Sequence, residues 1–273
     1  MMRKAKLGQH FLVNRSIAEK MTQTFLPVEG PILEIGPGKG ILTQNLLNRC
    51  PGCRITAVEL DNTLFCELKN RFNKCTSIDL LNRNILQVDL DELFPGKNEA
   101  VNVIGNVPYY ISKELLDWVI AHYNKIKKGM FMMQKEFVNK LISPANAQSI
   151  LFVWLYRVEK LFEVQPGSFS PRPRVKSSVF LFERILSPHE KDIDADVMDF
   201  YRFVRQCFRN RRKTLFNNLG ASYETKTLEE ILAKLHINPK VRAEQLTLKD
   251  FLDMNRLLVA VGMPVTPMTT KSR

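Results

Sequence analysis

Nowhere does the chain hold the roughly 18 uninterrupted apolar residues that a membrane-crossing helix requires, which excludes that class of protein. Its opening, "MMRKAKLGQHFLV", is basic but lacks the apolar region of a signal peptide and the Arg/Ser-rich amphipathic length of a mitochondrial transit peptide. Cytoplasmic residence is the expectation. Cysteine is scarce and odd in number: Cys50, Cys53, Cys66, Cys75 and Cys207. That argues against a disulfide framework and for a reducing compartment. Cys50 and Cys53 have C-x-x-C spacing, but no second pair stands at metal-binding distance and Pro51-Gly52 lies between them, so the stretch reads as a turn and no metal site is expected. Repeats and low-complexity segments are missing too. Acidic residues are outnumbered, 28 Asp+Glu against 40 Lys+Arg, for a net charge of +12 that points to a polyanion, nucleic acid or a membrane surface, as partner.

What is present is a globular chain, 273 residues long and 45% hydrophobic, enough for one large domain and a smaller one. Up to about residue 185, short apolar runs alternate with amphipathic segments. "GPILEIG", "RITAVEL", "IDLLNRNILQVD", "AVNVIGN", "GMFMMQ" and "SSVFLFER" read as strands; "ILTQNLLNR", "NTLFCELKNRFN", "ISKELLDWVIAHY" and "KEFVNKLI" read as helices. This α/β pattern predicts a mostly parallel sheet with helices on both faces and a ligand site beyond the carboxyl ends of its strands. Residues 186–196, "LSPHEKDIDAD", are proline-broken and acidic, and the pattern beyond them is helical until the tail "MPVTPMTTKSR", which reads as disordered. A boundary near 186 therefore separates domain 1–185 from an all-helical domain 186–273.

Between the first strand and helix stands Glu34-Ile35-Gly36-Pro37-Gly38-Lys39-Gly40. Glycines at this junction let the backbone approach a ligand at a helix N-terminus. The spacing is neither the dinucleotide G-x-G-x-x-G nor a Walker loop. It resembles instead the first motif of S-adenosylmethionine-dependent methyltransferases, which implies a Rossmann-like domain and contacts from Gly36 and Gly38. Glu59 ends the next strand, where it suits the ribose hydroxyls, and Asp61 reads as a helix N-cap. After the third strand, Asp89 is the candidate acceptor for the adenine amine of the cofactor.

The fourth strand delivers "GNVPYY", residues 105–110, to the same sheet edge. An amide before a proline and an aromatic suits methylation of an exocyclic amine conjugated to a ring, whose lone pair is delocalised and poorly nucleophilic. The side-chain carbonyl of Asn106 and the backbone carbonyl of Val107 are placed to accept the two amine hydrogens and aim the lone pair. Pro108 stiffens the loop and removes a competing donor. Tyr109 offers a face for an extruded base.

The order "GQHFL", "EIGPGKG", "VELD", "GNVPYYIS", "MMQKEFVNKL" and "FSPRPRVKSSV" resembles the rRNA adenine dimethyltransferase family from about Gly8 to Val179. Asn-x-Pro-Tyr by itself leaves DNA adenine and protein glutamine methyltransferases open; "GQHFL" and F-x-P-x-P-x-V-x-S exclude them. The resemblance implies that His10, where the family often has Asn, and Leu12 close over the cofactor, and that Phe169 stacks on the base opposite Tyr109. "CFRNRRKTLFNNL" and "VRAEQLTLKDF" resemble the KsgA branch, implying dimethylation of two adjacent adenosines near the 3′ end of small-subunit rRNA by a monomer acting on the immature subunit. Arg209, Arg211, Arg212 and Lys213, crowded on one helix, are the expected phosphate contacts. An Erm-type large-subunit enzyme and a non-catalytic binding relative are the alternatives. After "KLISP" the branch usually carries Tyr-Gly and then Leu-Ser. Here "ANAQSILFVWLY" stands instead, which implies an altered loop and strand edge.

Overall fold

The computed structural model describes residues 9–96, 99–143, 146–185 and 197–262. The basic leader before Gln9, the connector 186–196 and the tail from 263 lie outside them. The described elements run β1 (Phe11–Leu12), α1 (Arg15–Phe25), β2 (Ile32–Ile35), α2 (Ile41–Arg49), β3 (Ile55–Glu59), α3 (Asn62–Arg71), β4 (Ile78–Asn82), α4 (Leu90–Leu93), β5 (Val101–Asn106), α5 (Ser112–Ala121), β6 (Ile126–Gln134) and α6 (Lys135–Ile142). They continue with α7 (Ala147–Leu155), β7 (Tyr156–Val164), β8 (Phe169–Ser170), β9 (Ser177–Arg184), α8 (Val197–Cys207), α9 (Leu215–Leu219), α10 (Thr225–Lys234) and α11 (Leu248–Ala260).

Seven strands form one sheet in the order β4-β3-β2-β5-β6-β9-β7. The first five are parallel, and β9 runs antiparallel to both β6 and β7. β2 and β5 are buried nearly throughout, as strands covered on both faces must be, and so read as continuous apolar runs. Phe25 and Met21 of α1 and Leu46 of α2 pack with Ile32, Ile104, Met130 and Met132 into one core. The chain leaves β2 toward β3 on one side and later fills β5 on the other. That reversal opens a crevice at the carboxyl ends of β2 and β5.

Local chemistry fixes the ends of these elements. Asn14 caps α1 by accepting from the Ile17 N–H, and Asp61 caps α3 by accepting from Thr63 and Leu64, as its spacing predicts. The Cys50–Cys53 stretch is the expected turn, with the Cys53 N–H donating to the Cys50 carbonyl, but the two sulfurs are also bonded to each other, which the odd cysteine count gave no reason to expect. No helix among the described residues is long and apolar enough to cross a membrane.

The chain separates into two compact units, one comprising residues up to Ile142 with Tyr156–Arg184, the other Ser143–Leu155 with residues from Ile185 onward. This departs from the sequence expectation of a continuous 1–185. "AQSILFVWL" forms helix α7 rather than a loop and strand edge, and it packs on α8 in the helical unit, where the Trp154 and Phe200 rings stand 4.7 Å apart. Phe200, Phe203, Leu215, Phe251 and Leu258 complete that unit's buried interior.

Candidate functional site

A cleft of about 1070 Å³, open to solvent, lies at the crevice between β2 and β5. Its wall gathers His10, Phe11 and Leu12, the loop Gly36–Lys39, Glu59, Asn84–Leu86 and the segment Asn106–Ile111. Gly36 and Gly38 adopt φ values of +65° and +56°, a region side-chained residues avoid, and a Cβ on Gly38 would meet the Phe11 ring at 3.0 Å. The loop therefore turns beneath the ligand space without filling it.

Glu59 is 5% exposed. Its Oε2 accepts from the Gly38 N–H at 3.0 Å and its Oε1 from the Asp61 N–H at 2.9 Å. Each oxygen keeps a lone pair for a ribose hydroxyl. Burial raises the carboxyl pKa, with these two N–H groups opposing. Glu34 lies wholly buried behind the loop, and burial pushes its carboxyl up to about 7. The side chain and backbone of Thr43 favour its ionised form and the Glu59 charge opposes it, yet Glu34 Oε1, Glu34 Oε2 and Thr43 Oγ1 all lack a completed hydrogen bond, so burial dominates.

The Asn106 Nδ2 donates to the His10 carbonyl at 3.0 Å. Because a carbonyl only accepts, the amide nitrogen must face His10, which turns Asn106 Oδ1 away from that contact. In the same way the Pro171 carbonyl, 2.8 Å from His10 Nδ1, can only accept, so His10 Nδ1 carries the donated proton. Thus His10 meets Asn106 through its backbone. Pro108 opens a single 3-10 turn over Tyr109–Ile111, confirming the turn expected of the hexapeptide. The Tyr109 hydroxyl pairs with Ser177 Oγ at 2.9 Å, and the Tyr109 and His10 rings lie 5.4 Å apart.

Three expectations need correction. Asp89 does not line the cleft. The third expected strand, drawn through to Asp89, ends at Asn82, and Asp89 instead caps α4, with its Oδ1 accepting from Asp91 and standing 4.0 Å from His122. From this edge Arg83, Asn84, Ile85 and Leu86 reach the cleft, and Asn84 brings an amide to it. Its Oδ1 accepts from the Leu86 N–H, and its Nδ2 has no protein acceptor among the described residues. An asparagine two residues past the true strand end was the available signal. Phe169 pairs with Leu12 across the β1–β8 ladder, but its side chain is 5% exposed and belongs to the core with Met21 and Phe25 rather than to the cleft wall. Arg209, Arg211, Arg212 and Lys213 sit on the loop between α8 and α9, not on a helix.

That loop has a defined shape. Buried Asn218 donates from Nδ2 to the Cys207 and Asn210 carbonyls at 2.8 and 3.1 Å, and its Oδ1 accepts from the Asn210 N–H at 3.1 Å. Asn210 Oδ1 in turn accepts from the Arg212 N–H. All four basic side chains remain exposed.

The family model for ribosomal RNA adenine dimethylase matches residues 2–259. The chain belongs to the ribosomal RNA adenine dimethylase family. It is similar to ribosomal RNA small subunit methyltransferase A of Koribacter versatilis, 33% identical with 90% of this chain and 91% of that protein covered, and to its namesake in Acidobacterium capsulatum, 34% identical over 93% and 91%. A dimethyladenosine transferase from Plasmodium falciparum shares the fold, with TM-score 0.78, 22% identity, and 94% of this chain and all of that one covered. So does the 23S rRNA methyltransferase ErmE, with TM-score 0.68, 21% identity, and 91% and 99% coverage. The dimethylase chain is accordingly an S-adenosylmethionine-dependent rRNA methyltransferase. Its cleft fits that cofactor, since the glycine loop leaves space and buried Glu59 offers acceptors to a ribose.

Proposed function

We propose that the dimethylase transfers two methyl groups to each of two adjacent adenosines near the 3′ end of small-subunit rRNA, acting as a monomer on the immature subunit in the cytoplasm. The observation that carries the site reading is the orientation of Asn106, whose amide nitrogen is occupied by the His10 carbonyl. Bound S-adenosylmethionine supplies the methyl group; Gly36, Gly38, Glu59, Asn84, Leu12 and the His10 segment hold it. Asn106 Oδ1 and the Val107 carbonyl accept the two hydrogens of the adenine amine, drawing the nitrogen toward tetrahedral geometry and freeing its lone pair. Tyr109, fixed by Ser177, presents its ring to the flipped base. No strong base is required, because the methylated nitrogen is acidic and releases its proton readily. The basic loop held by Asn218 contacts phosphates without reading sequence.

Incubating the protein and labelled cofactor with immature small and large ribosomal subunits tests this reading. Label should enter small-subunit RNA as dimethyladenosine. Label confined to large-subunit RNA would refute the small-subunit assignment in favour of an Erm-type reaction.

A further inference from the structure

Glu163, near the end of β7, is the meeting point of three lysines drawn from separate segments. Lys135, the first residue of α6, approaches its Oε1 at 2.9 Å; Lys160 of β7 approaches the same oxygen at 3.0 Å; Lys176, just before β9, stands 4.0 Å from Oε2. Lys160 also donates to Asn139 Oδ1 at 3.1 Å. The hydrogen bonds from Lys135 and Lys160 hold the Glu163 carboxyl below its ordinary pKa. One carboxylate among three ammoniums leaves a local excess of two positive charges. Part-exposed pairs of this kind add little to stability, so the fold gives no strong reason to collect them.

Their position supplies one. Ser177, which holds the Tyr109 hydroxyl, follows Lys176 directly and pairs with Gln134, the neighbour of Lys135. The Lys135 N–H donates to the Lys176 carbonyl at 3.0 Å, tying the two lysine segments together. Across the sheet, Asn106 lies opposite Met132, Met132 opposite Val179, and Val179 opposite Phe162. Three strand spacings, about 14 Å in all, therefore separate Asn106 from the strand carrying Lys160 and Glu163. A polynucleotide whose base enters the cleft must send its backbone across a neighbouring surface within a few nucleotides. On the Tyr109 side that surface carries the three lysines, with Arg172 and Arg174 exposed in the segment leading to Lys176.

We propose that Lys135, Lys160 and Lys176, gathered by Glu163, form a phosphate-binding site for the RNA strand flanking the adenosine in the cleft. The proposal rests on the reading of the chain as an RNA adenine methyltransferase. Glu163 acts as a positioning residue, fixing three flexible ammoniums before the strand arrives. An ammonium binds phosphate as a point charge, so the site contributes affinity and register but no base preference.

The test measures binding to immature small subunits across a range of KCl concentrations for the wild type, Lys160→Gln/Lys176→Gln, and Lys127→Gln. Lys127 pairs with Glu29 near the opposite end of β6 and serves as a control for bulk charge. The double variant should lose about 1.4 from the slope of log affinity against log salt, roughly 0.7 for each phosphate contact. Its RNA KM should rise several-fold while kcat at saturating RNA and cofactor affinity hold; Lys127→Gln should track the wild type. A double variant with the wild-type slope and KM overturns the phosphate site, as does an equal loss in the control or a loss of cofactor binding. Salt-dependent loss of binding in a protein that transfers no methyl group would refute the enzymatic reading and leave this site standing.

Discussion

Asn106 is held by a contact to His10 that fixes which end of its amide is left free, so in the proposed reaction its substitution separates chemistry from ligand binding. Asn106→Ala should lower kcat about 10²- to 10³-fold, the usual cost of losing one preorganised polar contact in a transition state, with cofactor affinity changed little by calorimetry. Unchanged turnover would refute the role given to the amide. Glu34 makes a second residue-level prediction, about pH. Burial raises its folded pKa to about 7 from an ordinary 4.5, against opposition from Thr43 and with a further push from Glu59. Between those values the unfolded chain has already released a proton that the folded one keeps, so stability falls as pH rises from about 4.5 to 7. The full loss is on the order of 3 kcal/mol. Glu34→Gln removes the titrating group, so its stability relative to wild type in urea unfolding should improve between pH 5 and pH 8. A difference independent of pH would show that Glu34 does not titrate in this window.

At the scale of elements, what the sequence reveals follows the reach of the signals. The parallel strands β2, β3, β5 and β6 and helices α2, α3, α5 and α6 were readable, because burial on both faces leaves unbroken apolar runs and helices announce themselves by period and cap. β7 carries no clear strand signal because "YRVEKLFEV" is the edge strand of the sheet, with five of its nine residues half-buried, which blurs its pattern. The third expected strand runs seven residues past the observed end at Asn82, since "ILQVD" is as apolar as a strand. That single boundary moved the expected cleft residue from Asn84, which lines the cleft, to Asp89, which does not. Pairings between distant segments, such as Tyr109 with Ser177 and Phe169 with Leu12, have no local signal at all. The loop between α8 and α9 is the same case: its charges were visible, but the buried amide that shapes it was not. Asn218→Ala would strand the Cys207 and Asn210 carbonyls and the Asn210 N–H, costing about 2 kcal/mol or more in unfolding free energy. It should also weaken RNA binding while leaving cofactor affinity intact. RNA affinity equal to wild type would mean that the charges act without a fixed loop.

For the whole molecule, a net charge of +12 attracts any polyanion at long range, and the question is how much of RNA binding is that general field and how much is contact. Two variants with the same net charge separate the terms. Replacing Arg209, Arg211, Arg212 and Lys213 with Gln removes four exposed charges from the loop; replacing Lys226, Lys234, Lys240 and Lys249 removes four exposed charges elsewhere in the helical unit. Both lower the charge from +12 to +8 and weaken the field about equally. Condensed counterions, however, are released only where a cation meets a phosphate. If the loop makes four such contacts, its variant should lose about 3 from the slope of log affinity against log salt. The second variant should keep nearly the wild-type slope and bind more slowly at low salt, since a weaker field chiefly slows encounter. Equal slopes in the two variants, measured by filter binding to small subunits between low and moderate KCl, would show that the loop contributes only its charge and makes no contact of its own.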